Sequence, residues 1–358
     1  MSTDNNGTDK SVSTNTTSTD VFDLAEAEDA ALRKGAPSRS QGQLIIRRFL
    51  RHKPAMISLV VLVGITILAI TSVGIGSIPG WWDKDYRATG PVINGGAPTL
   101  SLIPTWLGGE GIRIGEHPFG QNTTGRDYFA LVMVGAQRSL TIAFVVGIVA
   151  TTIGAVLGAV AGYFRGWVDS VIMRMTDVVI VVPLLLLAAL VGQMASQQEG
   201  VLMLALLLGL LTWTGLARLV RGEVLSLRER EFVGAAQSMG AGPLRIIFRH
   251  LLPNTVGVIV VNATFSIAAA ILLESTLSFL GFGVQAPETS LGLLISQYQG
   301  AFTNRPWLFW FPGMVILAVA LSINFIGDGL RDAFDPRQTR KLRLTWRERL
   351  QRAKEVTA

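Results

Sequence analysis

The chain has 358 residues, of which 49% are hydrophobic and only 16% are charged. Soluble domains usually carry about 25% charged residues, so this composition indicates an integral membrane protein. The formal net charge of +6 does not predict nucleic-acid binding, because the basic residues cluster beside apolar stretches, as they do at the cytoplasmic ends of membrane spans. The lack of cysteine excludes disulfides and thiolate metal sites, and the histidines are too far apart in sequence to predict a metal centre.

Residues 1–42 are rich in Ser, Thr, Asn and Asp, and this polar composition predicts a disordered tail. The tail is not typical of a signal peptide, because the first long apolar run begins only near Ala55. Basic residues before that run predict a cytoplasmic N-terminus and an uncleaved first span. They are Arg47, Arg48, Arg51 and Lys53.

Six apolar segments follow, and each is long enough to predict a helical membrane span. An even number of spans leaves both termini on one side of the membrane. Arginine-rich connections at 165–174 and 218–254, together with a basic tail at 338–358, predict that this side is the cytoplasm. The sequence thus predicts an all-α integral membrane fold, a six-helix bundle with external segments at 77–138 and 275–306. The predicted spans cover about residues 55–75, 139–164, 172–195, 201–217, 255–273 and 307–326.

One polar stretch, residues 226–253, lies between two of these spans and is too hydrophilic to cross a membrane. Ser226 and Glu229 have capping-box spacing, which predicts a helix start there. Gly240 favours the end of that helix, and Pro243 suits the first position of the next. The second helix is predicted to be basic and amphipathic, suited to the cytoplasmic membrane surface or to a groove in a partner. Its apolar positions are Leu244, Ile247, Phe248, Leu251 and Leu252.

The second predicted span carries a stripe of small residues, Gly154, Gly158 and Gly162, at four-residue spacing. Such a stripe lets helix backbones approach closely, so we expect tight packing within the bundle rather than a substrate-lining surface. Asn262 and Asn324, in later spans, are expected to form hydrogen bonds between helices.

The sequence contains no P-loop pattern G-x-x-x-x-G-K-[ST], so the chain does not bind ATP in that way. Acidic residues within the spans are few, and Asp177, Glu274 and Asp328 all lie near helix ends. Arg174 is the natural local partner of Asp177, whereas Glu274 is a possible functional acid as much as a structural one. Two alternatives fit poorly. A secondary transporter or channel working without an ATPase favours acids near the membrane midplane, and a membrane-embedded enzyme needs a nucleophile beside a base.

Four ordered motifs along residues 45–337 resemble those of ABC importer permeases. They read His117-Pro-Phe-Gly120 with Thr124-Gly-Arg-Asp127 and Gly135-Ala-Gln-Arg-Ser-Leu140, Gly234-Ala-Ala-Gln-Ser-Met-Gly240 with Leu252-Pro253, Leu277-Ser-Phe-Leu-Gly-Phe-Gly-Val-Gln285, and Gly327-Asp-Gly-Leu-Arg-Asp-Ala-Phe-Asp-Pro336. Within that group, the chain is most similar to the C-type subunit of the oligopeptide/dipeptide transport family.

This resemblance implies a type I importer permease domain over residues 43–337 that has no enzymatic activity of its own. It implies a bacterial inner-membrane location and three kinds of partner: a second homologous permease, two ATPase subunits and an extracytoplasmic peptide-binding protein. ATP and Mg would bind the ATPases, and this chain would bind no cofactor. The cargo stays open among dipeptides, oligopeptides, glutathione and nickel complexes.

The same resemblance implies that the loop 226–253 docks on an ATPase and couples it to transport. Gly234 departs from the family pattern, in which a glutamate is usual, but Glu231 lies three residues earlier on roughly the same helix face. The outer motif contributes Gly125, Arg126 and Asp127. The residues expected to carry the ATPase contact are Glu231, Gly234, Ala235, Ala236, Gly240, Leu252 and Pro253.

Overall fold

The computed structural model describes residues 41–101, 111, 113–196 and 200–335. The predicted basic tail at 338–358, and the predicted N-terminal tail up to residue 40, lie outside the described residues. Contacts group the described residues from Ile46 onward into one unit, and Gln41–Ile45 belongs to another.

The described residues are mostly helical. A short antiparallel pair of strands, β1 (Gly74–Ile75) and β2 (Ile78–Pro79), follows the first long helix. The helices are α1 (Gln41–Arg51), α2 (Lys53–Val73), α3 (Tyr128–Phe164), α4 (Gly166–Val181), α5 (Leu184–Ser196), α6 (Gly200–Thr212), α7 (Thr214–Arg228), α8 (Glu231–Ser238), α9 (Pro243–Ile246), α10 (Leu252–Phe279), α11 (Leu291–Tyr298) and α12 (Trp307–Phe334), with short 3₁₀ turns at Asn94–Gly96 and Gln299–Ala301 and a π-helical turn at Ile247–Leu251.

The helices of the described residues supply four to six candidate membrane spans and confirm the all-α membrane class. Two of the six are bent pairs, α4 with α5 at 86° and α6 with α7 at 43°. The sharper bend falls at Pro183, and Val182 has the extended backbone that a residue before proline prefers. The unbent stretches are Lys53–Val73, Tyr128–Phe164, Pro243–Phe279 and Trp307–Phe334.

Two helices extend well beyond the predicted spans. The helix α3 begins at Tyr128 rather than near residue 139. The helix α7 continues to Arg228, because its buried face keeps packing against α3 through this stretch. The predicted helix start at Ser226 is therefore wrong: Ser226 lies inside α7, and the next helix begins at Glu231.

The glycine stripe lies on the seam between α3 and α7. A methyl group at Gly158 would lie 2.4 Å from the Ala217 carbonyl oxygen, closer than van der Waals contact allows. Gly154 and Gly162 face the same helix at comparable distances. The stripe therefore lets the two backbones touch, which confirms the predicted packing role.

The start of α2 meets the end of α12, within the C-terminal motif. A methyl group at Gly329 would lie 2.4 Å from the Ala55 Cβ, and His52 Nε2 lies 3.5 Å from Asp332 Oδ2. The beginning of the first candidate span and the end of the last are therefore at the same end of the bundle.

Candidate partner-binding surface

The loop that leaves α7 folds as a helix, a turn and a second helix. The helix α8 ends in a Schellman motif, in which the Gly240 N–H donates to the Gln237 carbonyl at 2.9 Å and the Ala241 N–H donates to the Ala236 carbonyl at 3.0 Å. Gly240 has a φ of +80°, a left-handed conformation that glycine adopts without steric cost. Pro243 then occupies the first turn of α9, as the sequence predicts.

Buried apolar side chains anchor this loop to the bundle. Val233 from α8, and Ile246, Ile247 and Leu251 from the second helix, are each 0% exposed and pack with side chains of α3 and α7. Fully burying one such side chain contributes about 1.5–3 kcal/mol. The frame of the loop is therefore fixed on the bundle.

The side of the same loop that faces away from the bundle carries large, exposed apolar side chains. Met239 is 81% exposed, Leu244 67%, Phe248 53% and Phe232 40%. The predicted apolar positions of the second helix are divided: Ile247 and Leu251 are buried against the bundle, whereas Leu244 and Phe248 are exposed, and the helix contains a π-helical turn at Ile247–Leu251. Exposed apolar side chains grouped on one short loop are typical of a protein interaction site.

The predicted contact residues divide between this surface and its support. Ala236 is 2% exposed and Leu252 is half-buried, so these two residues support the surface. A Cβ placed at Gly234 would meet nothing within 4 Å. Glu231 lies in the first turn of α8, and none of the ion pairs found among the described residues involves it. The exposed members are Glu231, Gly234, Ala235, Gly240 and Pro253.

The outer motif forms a hydrogen-bonded structure at the start of α3. Asp127 Oδ1 accepts from the Trp82 indole at 3.2 Å and from the Ala130 backbone N–H at 2.8 Å, the second bond being an N-cap. Asp127 Oδ2 lies 2.7 Å from His117 Nδ1, and Lys84 Nζ lies 3.3 Å from His117 Nε2. Because an ammonium group only donates, His117 carries its proton on Nδ1 and donates to Asp127. Asp127 therefore ties the segment that precedes α3 to the start of that helix.

Gly125 lies in the same turn, with a φ of +74° and with the Gly90 carbonyl oxygen 1.8 Å from the place of a Cβ. The side chain of Arg126 is exposed. The sequence reasoning missed Asn122, whose Oδ1 accepts from the backbone N–H groups of Thr124 and Arg126 at 3.0 and 2.8 Å. An asparagine ahead of Thr-Thr-Gly is a typical turn signal and would have indicated this role.

Glu274 is fully buried near the C-terminal end of α10. Its Oε2 accepts from Ser139 Oγ at 2.8 Å, and its Oε1 accepts from Ser278 Oγ at 2.7 Å. Ser139 in turn accepts from the Leu291 backbone N–H at 3.2 Å. The carboxyl group thus joins α3, α10 and the start of α11, and no cation is paired with it in the part of the chain that the structure describes.

The structure also tests the predicted partners of two polar side chains in the helices, Asp177 and Asn262. Asp177 does pair with Arg174, at 3.9 Å, but its closer partner is Arg218, whose Nη2 lies 2.6 Å from Asp177 Oδ1. Asn262 donates to the Val258 carbonyl of its own helix at 2.9 Å, so the predicted bond between helices is wrong for this residue. A side-chain amide reaches the preceding turn of its own helix without needing a neighbour.

Known proteins resemble this chain along most of its length. The family model described as "Binding-protein-dependent transport system inner membrane component" matches residues 154–340, and the one described as "N-terminal TM domain of oligopeptide transport permease C" matches residues 40–86. The oligopeptide transport system permease protein OppC of Mycobacterium tuberculosis is 37% identical over 298 residues, covering 83% of this chain and 95% of that protein. The chain belongs to this transport family.

Other relatives of this family member have similar names. A putative peptide permease protein of Brucella suis is 37% identical over 301 residues, covering 81% of this chain and 89% of that protein. OppC of Haemophilus influenzae is 35% identical over 299 residues, covering 84% and 89%. Among solved structures, the inward-facing MetNI methionine ABC transporter is similar with a TM-score of 0.47 and 21% identity, covering 58% of this chain and 98% of that chain.

Family membership fixes the general role of the chain. An inner membrane component of a binding-protein-dependent transport system is a multi-pass, non-catalytic permease subunit of an ABC transporter. ATP hydrolysis belongs to a separate subunit of such a system.

Proposed function

We propose that this permease forms half of the translocation pathway of an ATP-driven peptide importer. Its partners are a second homologous permease, two ATPase subunits that bind ATP and Mg, and an extracytoplasmic peptide-binding protein. The loop 226–253 couples the permease to one ATPase. The observation that carries the proposal is this loop, whose frame is buried in the bundle while large apolar side chains face outward.

The exposed face of the loop has the chemistry of a protein interface. Met239 and Leu244, on either side of the turn, are 81% and 67% exposed, and buried apolar side chains dominate the energy at interface centres. Arg245 and Arg249 are exposed beside them and offer charged groups to the rim of the interface. Such a surface suits a groove with an apolar floor and acidic edges.

In this proposal Glu231 provides the acidic group that the family pattern places at Gly234. The two positions lie three residues apart on α8, and both are exposed. Residues at this spacing are neighbours on a helix surface, so a partner that contacts one also reaches the other. Ala235, the next residue of α8, and Pro253, at the start of α10, are also exposed and allow close approach of the partner.

The proposed topology places both termini and the loop in the cytoplasm of a bacterial cell, with the permease domain at 43–337 embedded in the inner membrane and cytoplasmic tails at 1–42 and 338–358. The contact between Gly329 and Ala55 supports a common side for the two ends of the domain. Segment 77–138 lies outside. There Asp127 caps the start of α3, Gly125 packs closely against Gly90, and exposed Arg126 is available to the binding protein. Glu274 holds α10 and α11 together and takes no direct part in binding cargo.

Single cysteines test the coupling role and the topology together. The chain contains no cysteine, so an introduced thiol reports without background from this subunit. In the complete importer, Met239→Cys (a position 81% exposed) is expected to crosslink to an ATPase subunit through a short bifunctional reagent. The control is Ile114→Cys, at a position 63% exposed on the external segment.

The control is expected to give no such crosslink and to react with a membrane-impermeant maleimide added outside intact cells. An assembled importer without any crosslink from position 239 would rule out the coupling role. Maleimide labelling of Met239→Cys but not of Ile114→Cys in intact cells would rule out the topology.

Transport itself is tested with the importer in proteoliposomes and a pool of isotopically labelled di- to hexapeptides, measured inside the vesicles by mass spectrometry. Accumulation that needs both the binding protein and ATP hydrolysis supports the proposal and identifies the preferred peptide length. Accumulation that persists without the ATPase subunits would favour a secondary transporter instead.

A further inference from the structure

The helices α4 and α7 are joined mainly by charged side chains. Arg221 Nε donates to Asp169 Oδ1 at 2.5 Å, and Arg221 Nη2 donates to Asp169 Oδ2 at 2.6 Å. The Asp169 side chain is 15% exposed and the Arg221 side chain 33%. One helical turn away, Arg218 donates to Asp177 at 2.6 Å and to Thr176 Oγ1 at 3.3 Å. A two-bond arginine fork fixes both the distance and the relative orientation of the groups that it joins.

The apolar side chains of α4 do not supply an alternative attachment. Within α4, only Ile172 and Thr176 are buried. Trp167 is 77% exposed, Val178 69% and Val181 81%. Apolar packing usually dominates the attachment of one helix to another, so the ion pairs carry an unusual share of the attachment between α4 and α7.

The contacts follow the two helices in antiparallel order. Arg165, just before α4, pairs with Glu229, just after α7. The Asp169–Arg221 and Asp177–Arg218 pairs then follow along the helices. We call these three pairs the ionic ladder. It begins beside the proposed coupling loop and runs away from it.

The helix α7 connects the ladder to that loop. Its last residue is Arg228, and α8 begins at Glu231. On its other side α7 is held against α3 by the glycine seam at Gly154, Gly158 and Gly162. A displacement of the loop is thus expected to move α7, and the ladder is a direct connection from α7 to α4, which also packs against α3.

We propose that the ionic ladder transmits movement of the coupling loop to α4, and through the bend at Pro183 to α5. Arg221 and Asp169 are the main positioning residues, and Arg218 with Asp177 is the second connection. This inference rests on the proposed coupling role of the loop 226–253. Because unpaired charges close to a lipid boundary are unfavourable, the ion pairs stay formed while the helices move. The two-bond arginine fork also fixes the orientation of α4 relative to α7 during the movement.

The experiment measures coupling, not activity alone. The complete importer is reconstituted in proteoliposomes with the binding protein and the labelled peptide pool, and both ATP hydrolysis and peptide accumulation are followed. Asp169→Asn and Arg221→Gln are expected to leave assembly and basal ATP hydrolysis intact. The number of peptides moved per ATP should fall about tenfold, the scale of a typical coupling between distant sites.

Three further variants complete the design. The charge swap D169R/R221D should recover most of the lost ratio, because it restores an attractive pair. Glu116→Gln is the matched control, since the Glu116 side chain is 78% exposed and pairs with Lys84 at 3.9 Å, away from the ladder. Its ratio should equal that of the wild type. If Asp169→Asn fails to assemble, the ratio is measured on Arg221→Lys, which keeps the charge and loses the fork.

The outcomes separate the two proposals. A wild-type importer that hydrolyses no ATP, or accumulates peptide without doing so, contradicts the proposed function itself. A wild-type importer that couples normally, with Asp169→Asn or Arg221→Lys variants that couple equally well, contradicts only the ladder. A lowered ratio that the charge swap does not improve assigns these residues a purely structural role and also contradicts the ladder.

Discussion

Glycines in the proposed coupling loop and in the outer motif play opposite physical roles. In the loop, a Cβ at Gly234 or Gly240 would meet nothing within 4 Å. In the outer motif, a Cβ at Gly125 would lie 1.8 Å from the Gly90 carbonyl oxygen, and one at Gly120 would lie 2.4 Å from the Gly96 carbonyl oxygen. Backbone atoms of the same chain leave no room for a Cβ at the glycines of the outer motif, whereas the space around the loop glycines is open.

This difference separates a motif whose contacts lie within the chain from a loop whose exposed side chains suit the proposed docking on a partner. The outer motif satisfies its groups internally, as Asp127 does by accepting from Trp82 and from Ala130. The loop, in contrast, leaves the side chains of Met239 and Leu244 exposed. Substitutions in the outer motif should therefore act on folding, and substitutions in the loop should act on assembly.

The largest effect on folding is expected for Gly125→Ala. The substitution places a Cβ against the Gly90 carbonyl oxygen in a left-handed turn. Backbone strain and overpacking each cost about 1–3 kcal/mol, so together they should lower the free energy of unfolding by about 2–6 kcal/mol. Thermal unfolding of the detergent-purified subunit measures this loss. Arg126→Ala, at the exposed neighbouring position, is the control and should change stability by less than about 0.5 kcal/mol. Equal stability of the two variants would contradict the internal role of the motif.

A smaller loss is expected for Asp127→Ala. It removes the N-cap of α3, worth about 1 kcal/mol, and leaves the buried N–H of His117 without its acceptor, which costs about 1–3 kcal/mol more. Asp127→Asn keeps an oxygen for the Ala130 N–H and should lose less. Thermal unfolding again provides the measurement, and an alanine variant as stable as the asparagine variant would argue against the cap.

The smallest effect on folding, and the largest on assembly, is expected for Gly240→Asp. The left-handed turn disfavours a side chain by about 1 kcal/mol, and a new carboxylate is unfavourable at the C-terminal end of a helix. Membrane insertion should stay normal, while co-purification of the ATPase weakens and peptide uptake is lost. Gly240→Asn tests the backbone alone, because asparagine tolerates this conformation, and it should retain most uptake. Full uptake by the aspartate variant would contradict the coupling role.

Much of the loop could be predicted because its signals are local. The Schellman turn depends on Gly240 and on hydrogen bonds within five residues of it, and Pro243 begins the next helix for reasons that lie in its own ring. The register of the second helix was not predictable in the same way. Leu244 and Phe248 share the predicted apolar face with Ile247 and Leu251, but only the latter two are buried against the bundle, and the spacing does not indicate the π-helical turn at Ile247–Leu251.

The sequence by itself determined the membrane class, the apolar segments, the turn at Gly240 and the lack of a P-loop, because composition, run length and short spacings encode each of these. Only the tertiary structure decided which distant groups meet. Asp169 and Arg221 are 52 residues apart in the chain, and Ser139 and Glu274 are 135 apart. Such pairs depend on which helix faces pack together, and this packing is settled by long-range burial that no local pattern records.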